Sequence, residues 1–215
     1  ALLAPKENNY LAAALEEKGV CGLAYVDVST GDFATTQLSG EALLPELERL
    51  RPAELLVPGE SPLGSELGIP RTALEAWTFE LDQARETLLE HFGVASLEAY
   101  GCARLPLAVR AAGAILQYLG ETQKGALGQL SSLATYSVDS FMALDPFTRS
   151  NLDILTHSRS GRAAGSLLSV IDRTRTAMGG RLLRKWLSQP LLDRRMNPAT
   201  RIFWRAFSSA DPVPD

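Results

Sequence analysis

An α/β fold is predicted for the first part of this chain, a mixed sheet with helices, followed by a mostly α-helical segment. Three observations carry the prediction. Residues 8–38 hold three short apolar stretches punctuated by Gly19 and Gly31; a helical stretch and a short apolar strand come next; and from Pro106 onward apolar residues recur at helical spacing.

Taken in order, NNYLAAALEE (8–17), VCGLAYVDVS (20–29) and DFATTQL (32–38) read as consecutive strands of a meander, with Ser29-Thr30-Gly31-Asp32 as the hairpin turn. Ser39 is placed to cap a helix over 41–50, interrupted near its start by Pro45, and Arg51-Pro52 ends it before the strand 54–57. The three prolines and three glycines of 58–70 make a loop, after which Arg71 to Trp77 adds a strand. Helices are expected over 82–92 and 106–123, the second with Val109, Ala112, Leu116 and Leu119 as one apolar stripe. Asp145 before Pro146 starts a helix through Asn151 and Leu152, and 165–172 reads as a short one. From Met178 onward, Leu182, Leu183, Trp186 and Leu187 make an amphipathic face that Pro190 ends, which places Trp186 in a core.

Composition narrows the function classes. With 215 residues, 46% of them apolar and 21% charged, the chain has enough material for one large or two small cores. It has no apolar run of about eighteen residues and no charged-then-apolar leader, so a soluble cytoplasmic protein is expected. Cys21 and Cys102 have no Cys or His at ligand spacing and read as buried small hydrophobes. The net charge of −4 is unevenly spread: nine Lys and Arg face nineteen Asp and Glu in residues 1–144, against twelve and six in 145–215. A basic second part suits an acidic partner surface or nucleic acid better than the acidic first part does, although a solvated face explains such a bias equally well.

Three strands, a helix, two more strands and then helices is the element order of an RNase H-like α/β fold, and it raises the question of a nuclease. Two-metal hydrolysis needs several carboxylates converging on the sheet, the leading one on the first strand. None stands at the centre of that strand here; Asp27 lies on the second strand, Glu54 at a strand start and Asp82 at a helix start. A hairpin role for Asp27 is therefore expected, with a metal-dependent nuclease using Asp27 as the alternative. No phosphate-loop pattern occurs in the chain.

Five collinear segments go further: AYVDVSTGDF (24–33), RPAELLVP (51–58), AAGAILQYLGETQKGAL (111–127), LDPFTRSNLDI (144–154) and GSLLSVIDRTRTAMGGRLLRKWLSQPLLDRR (165–195). Together they resemble the MutS family of DNA mismatch-repair proteins from Asn8 to Arg195. The resemblance implies that 1–128 is a connector domain, RNase H-like and without nuclease activity, and that 129–195 is the beginning of a helical core or lever domain. Residues 196–215 depart from the family and, with Pro198, Pro212 and Pro214, read as a disordered tail. The family's mismatch-reading domain would precede Ala1, and its DNA clamp and ATPase would follow Arg195. The chain thus reads as a fragment that is not itself an enzyme, with no catalytic, cofactor or metal residues; ATP and magnesium serve the full-length family.

The same resemblance implies a noncatalytic relay between mismatch-bound DNA and the ATPase, and a docking surface for MutL on the helix FELDQARETLLEHF (79–92). The matched contact positions are Glu86 and Thr87, which also read as an ordinary solvated face; His91 reads as a surface residue. Mismatched double-stranded DNA and a second MutS subunit are partners in the full-length context. Arg149, Arg159, Arg162, Arg173 and Arg175 lack interleaved aromatics and read as interdomain ion-pair partners, or as contacts to a DNA backbone. Lever helices without their usual neighbours are expected to leave apolar surface exposed and to self-associate.

Overall fold

The computed structural model describes residues 8–142, 148, 151–190 and 192. Its first three strands, β1 (Tyr10–Glu17), β2 (Val20–Asp27) and β3 (Asp32–Ser39), form the predicted antiparallel meander. Lys18 (φ 53°) and Gly19 (φ 78°) turn β1 into β2, and two successive left-handed residues are what a two-residue hairpin needs to match strand twist.

Helix α1 (Gly40–Leu50) then crosses over to β4 (Glu54–Pro58), which pairs parallel with β1, and β5 (Arg71–Leu74) pairs parallel with β4. Pro45 does not interrupt α1. It forfeits only the bond to the Glu41 carbonyl, in the solvent-facing first turn. Ser39 stands at the expected cap position but makes no side-chain capping bond; the Gly40 amide donates instead to the Gly19 carbonyl at 2.8 Å. The fifth strand stops at Leu74 rather than Trp77, because Ala76–Phe79 winds into a 3-10 turn that leads into α2 (Leu81–Phe92).

Helix α3 (Pro106–Thr122) lies on the sheet and α2 packs against it, followed by the single turn α4 (Lys124–Leu127). A sixth strand that the sequence did not announce, β6 (Ala134–Thr135), pairs parallel with β3, giving the order β5-β4-β1-β2-β3-β6. This is a mixed sheet of RNase H-like topology with helices on both faces. Leu11, Ala13 and Leu15 of β1 face α2 and α3, whereas Tyr10, Ala12 and Ala14 face α1, so alternation along one strand feeds two cores. Covered by α2 on its outer side, α3 is buried almost all round from Leu107 to Leu116, not along one stripe.

Close approach is built into the sequence. A Cβ at Gly22 would lie 2.1 Å from the Leu107 carbonyl oxygen, and one at Gly113 would lie 2.4 Å from the Ala84 Cβ. Glycine thus permits α3 to rest on β2 and α2 to rest on α3.

Beyond the sheet come α5 (Leu167–Ile171) and α6 (Ala177–Ser188). Thr176 caps α6, its hydroxyl accepting from the Gly179 amide at 3.1 Å. On α6 Leu183 is buried but Leu182 is exposed and Trp186 is only half-buried, so the expected core position of Trp186 does not hold. Met178 and Val170 are likewise exposed. The helix expected from Asp145 falls mostly outside the described residues, as do Arg149 and the 196–215 tail. Among the described residues no helix is long and apolar enough to cross a membrane.

Candidate functional site

Asp27 ends β2 fully buried, and its carboxylate is spent on the turn. Oδ1 accepts from the Ser29 amide at 3.0 Å and from the Ser29 hydroxyl, and Oδ2 accepts from Asn8 Nδ2 at 3.3 Å. An aspartate that bonds its own backbone two residues on is a turn former. Glu54 is engaged elsewhere: its Oε1 accepts from the Thr72 and Tyr118 hydroxyls at 2.5 and 2.9 Å, tying β4, β5 and α3 together. Among the described residues no three His, Cys, Asp or Glu side chains gather where they could hold a metal ion. Among the described residues Asp27 and Glu54 thus have structural partners in place of a metal-dependent nuclease geometry.

The polar chemistry of the molecule concentrates beside that turn, on the α1 face of the sheet. Arg49 forks onto Glu46, with Nε at 2.8 Å from Oε2 and Nη2 at 2.7 Å from Oε1, and the two side chains are 7% and 9% exposed. Burial works against the Arg49 charge, but the hydrogen-bonded Glu46 carboxylate outweighs it and holds the guanidinium more firmly protonated than a free arginine. The Tyr136 hydroxyl donates to the same Glu46 oxygen at 2.7 Å. Tyr10, Tyr25, Tyr136 and Phe141 form a chain of tilted rings with centroids 5.0, 5.9 and 6.4 Å apart.

Helix α6 closes over this cluster from 150 residues away in sequence. Lys185 Nζ bonds both Asp32 carboxylate oxygens, at 2.8 and 2.6 Å, and stands 5.9 Å from the Tyr25 ring centroid. Arg181 Nη1 donates to the Ser29 hydroxyl at 2.6 Å, so the hydroxyl that caps Asp27 also receives α6. With its amide oriented so that the oxygen faces Arg49, buried Gln189 accepts from Nη2 at 2.9 Å. Two backbone bonds complete the junction, Met142 N–H to the Pro190 carbonyl at 2.8 Å and Leu192 N–H to the Ser140 carbonyl at 3.2 Å.

Alkaline pH should expose this arrangement. Burial, reinforced by neighbouring tyrosines and carboxylates, pushes the Tyr10, Tyr25 and Tyr136 hydroxyls well above the ordinary tyrosine range. A raised folded-state value means full stability below the unfolded tyrosine value of about 10, and progressive loss above it. Tyrosinate absorbance from these three is expected to appear together with the loss of far-ultraviolet dichroism; ionisation preceding unfolding would contradict their burial. Burial likewise pushes the Cys21 thiol up to about 11, so it stays protonated and unreactive at neutral pH.

The sites expected from sequence lie elsewhere. Glu86 is exposed on α2; Thr87, half-buried, donates to the Gln83 carbonyl at 2.8 Å and accepts from Gln117 Nε2 at 3.5 Å. His91 is not a free surface residue: half-buried, it places Nε2 2.7 Å from the Leu130 carbonyl. Arg159, Arg162, Arg173 and Arg175 are exposed and make no ion pair among the described residues. The ion pair that does join sheet and trailing helix uses Lys185 and Asp32, which sequence reasoning passed over because nothing local relates residues 153 apart.

A mixed sheet tied through a charged and aromatic junction to a trailing helix defines a two-part α/β module whose parts are physically coupled. Residues 9–131 match the family model described as MutS domain II, and residues 147–196 match MutS domain III. Over 97% of its length the chain is 50% identical to the DNA mismatch repair protein MutS of Dehalococcoides mccartyi, covering 25% of that protein. It is 47% identical to the MutS proteins of Thermosynechococcus vestitus and Synechococcus elongatus over 89% of its length. The chain belongs to the MutS family of DNA mismatch-repair proteins. It spans about a quarter of the length of the curated relatives it matches.

Proposed function

We propose that this chain is the connector and lever portion of a MutS-type mismatch-repair protein, a noncatalytic relay between mismatch-bound DNA and the ATPase. The division into 1–128 and 129–195 belongs to this reading, as does a cytoplasmic location. The observation that carries it is the contrast in strength across the α6 junction. The Lys185–Asp32 pair is 28% and 27% exposed, and exposed pairs contribute about 1 kcal/mol or less. The sheet beneath rests on fully buried Leu23, Tyr25, Leu47 and Leu55. The ties at Lys185 and Arg181 can let go while the platform beneath stays folded, which is what a relay needs.

Lys185→Met with Arg181→Ala is expected to raise hydrogen exchange across α6 and the 29–32 turn while leaving β1–β4 protected. In the longer protein the same pair of changes should uncouple ATP turnover from mismatch binding, with each retained separately. Unchanged coupling would overturn the relay.

The rest of the reading concerns partners. Glu86 and Thr87 on α2 are the candidate contacts for MutL, and a Glu86→Lys variant is expected to weaken binding of the MutL amino-terminal domain. Arg149, Arg159, Arg162, Arg173 and Arg175 are assigned to neighbouring domains, or to the backbone of mismatched double-stranded DNA. A second MutS subunit, ATP and magnesium enter through the longer protein.

A further inference from the structure

On the side of the sheet away from the α6 junction, β5 is an open edge among the described residues. The Leu55 and Gly59 amides donate to the Pro70 and Leu74 carbonyls, at 2.9 and 2.8 Å, so the alternation of a parallel ladder turns the peptide groups of Arg71 and Ala73 outward. Beside this edge a cleft of about 440 Å³ opens between β5, the 76–79 turn and the later part of α3. Three features of the cleft point to one kind of occupant. The Trp77 indole is 54% exposed at its rim, an unusual place for a large apolar ring without a partner. Glu60, Glu75 and Glu121 line the same cleft, and among the described residues none of the three is ion-paired. Arg71 is turned away, its Nη1 donating to the Ser61 carbonyl at 2.8 Å.

We propose that this edge is a docking site for an extended, basic segment of a partner protein. Such a segment pairs its backbone with Arg71 and Ala73 and lays a Lys or Arg side chain over Trp77 beside Glu60, Glu75 and Glu121. The acids supply charge complementarity and keep the open edge from pairing with another copy of this acidic part of the chain. This inference rests on the geometry of the cleft and is independent of the relay and of MutL docking at Glu86 and Thr87.

The test is a titration of the chain with a blocked hexapeptide of alternating lysine and valine, followed by nuclear magnetic resonance and hydrogen exchange. A glutamate and valine hexapeptide serves as the control. Expected are a shift of the Trp77 indole, new protection of the 71 and 73 amides, and affinity that falls about tenfold or more in Glu75→Lys/Glu121→Lys. The variant sites are exposed, so unchanged thermal unfolding will show that the variant is folded. Absence of the Trp77 shift, equal binding of the glutamate peptide, or full affinity in the variant overturns the proposal. Protection of 71 and 73 without peptide overturns it too: if concentration-dependent it gives the edge to a second copy, and if seen only in the longer protein, to that protein's own chain.

Discussion

Arg49→Met is expected to lower the free energy of unfolding by about 3 kcal/mol, the low end of the cost of breaking a buried ion pair. The change leaves Glu46, its side chain 9% exposed, without its bidentate partner. Two features hold the cost at the low end. Tyr136 still donates to Glu46 Oε1, and the carboxyl can take up a proton, so the stranded charge is relieved in part. A third feature adds to it, because Gln189 loses its donor at the same moment and α6 loosens at its carboxyl end. Urea unfolding should show a lower midpoint at nearly constant slope. Replacing both members, as Glu46→Met/Arg49→Met, should recover much of the loss but not all of it, since the Tyr136 hydroxyl then has no acceptor. A cost below about 1 kcal/mol for the single change would show that the pair is solvated.

The network around Arg49 also marks where sequence reading reaches its limit. The meander was legible because its turns are local: Gly19 and Gly31 supply positive φ within the segments they connect. The crossover helix and β4 were legible for the same reason. Glu46 and Arg49, by contrast, lie three apart on a helix, the spacing of countless surface pairs, and only Tyr136 and Gln189, arriving from 90 and 140 residues further on, make them a buried centre. Strand β6 escaped notice because two residues carry no periodicity; it exists through pairing with β3, extended by the Tyr136 amide bonding the Thr35 carbonyl at 3.1 Å. The all-round burial of α3 was hidden in the small residues of AAGAIL, since the stripe of Val109, Ala112, Leu116 and Leu119 marks one face only and α2 closes on the other at Gly113. Asp27 was read as a turn former, and its contacts to Ser29 are local. That α6 would reach the same serine through Arg181 is a fact of tertiary structure alone.

Gly22→Ala is expected to cost at least as much as the loss of Arg49, although it adds a single methyl group. The new Cβ would stand 2.1 Å from the Leu107 carbonyl oxygen and 2.4 Å from its carbon. These are backbone atoms at the start of α3, so no rotamer change can clear them, and either β2 or the whole helix must shift. β2 lies between β1 and β3 in the middle of the sheet and is the less able to yield. If α3 yields, its anchors go with it. Gln37 Oε1 accepts from the Leu107 amide at 3.1 Å, and the buried Thr35 hydroxyl lies 2.8 Å from the Ala108 carbonyl. Overpacking costs roughly 1–3 kcal/mol and a stranded buried polar group about the same again, so a total of about 3–5 kcal/mol is expected. For a chain of this size that is a fall in melting temperature of roughly 6–20 °C. Gly113→Ala, whose Cβ would meet the Ala84 Cβ and Cα at 2.4 and 2.5 Å, should behave similarly but less severely, because α2 is an outer helix with solvent behind it. Thermal unfolding of the two variants side by side decides the matter: a Gly22→Ala protein as stable as its parent would mean that α3 does not rest on β2 at the distance described.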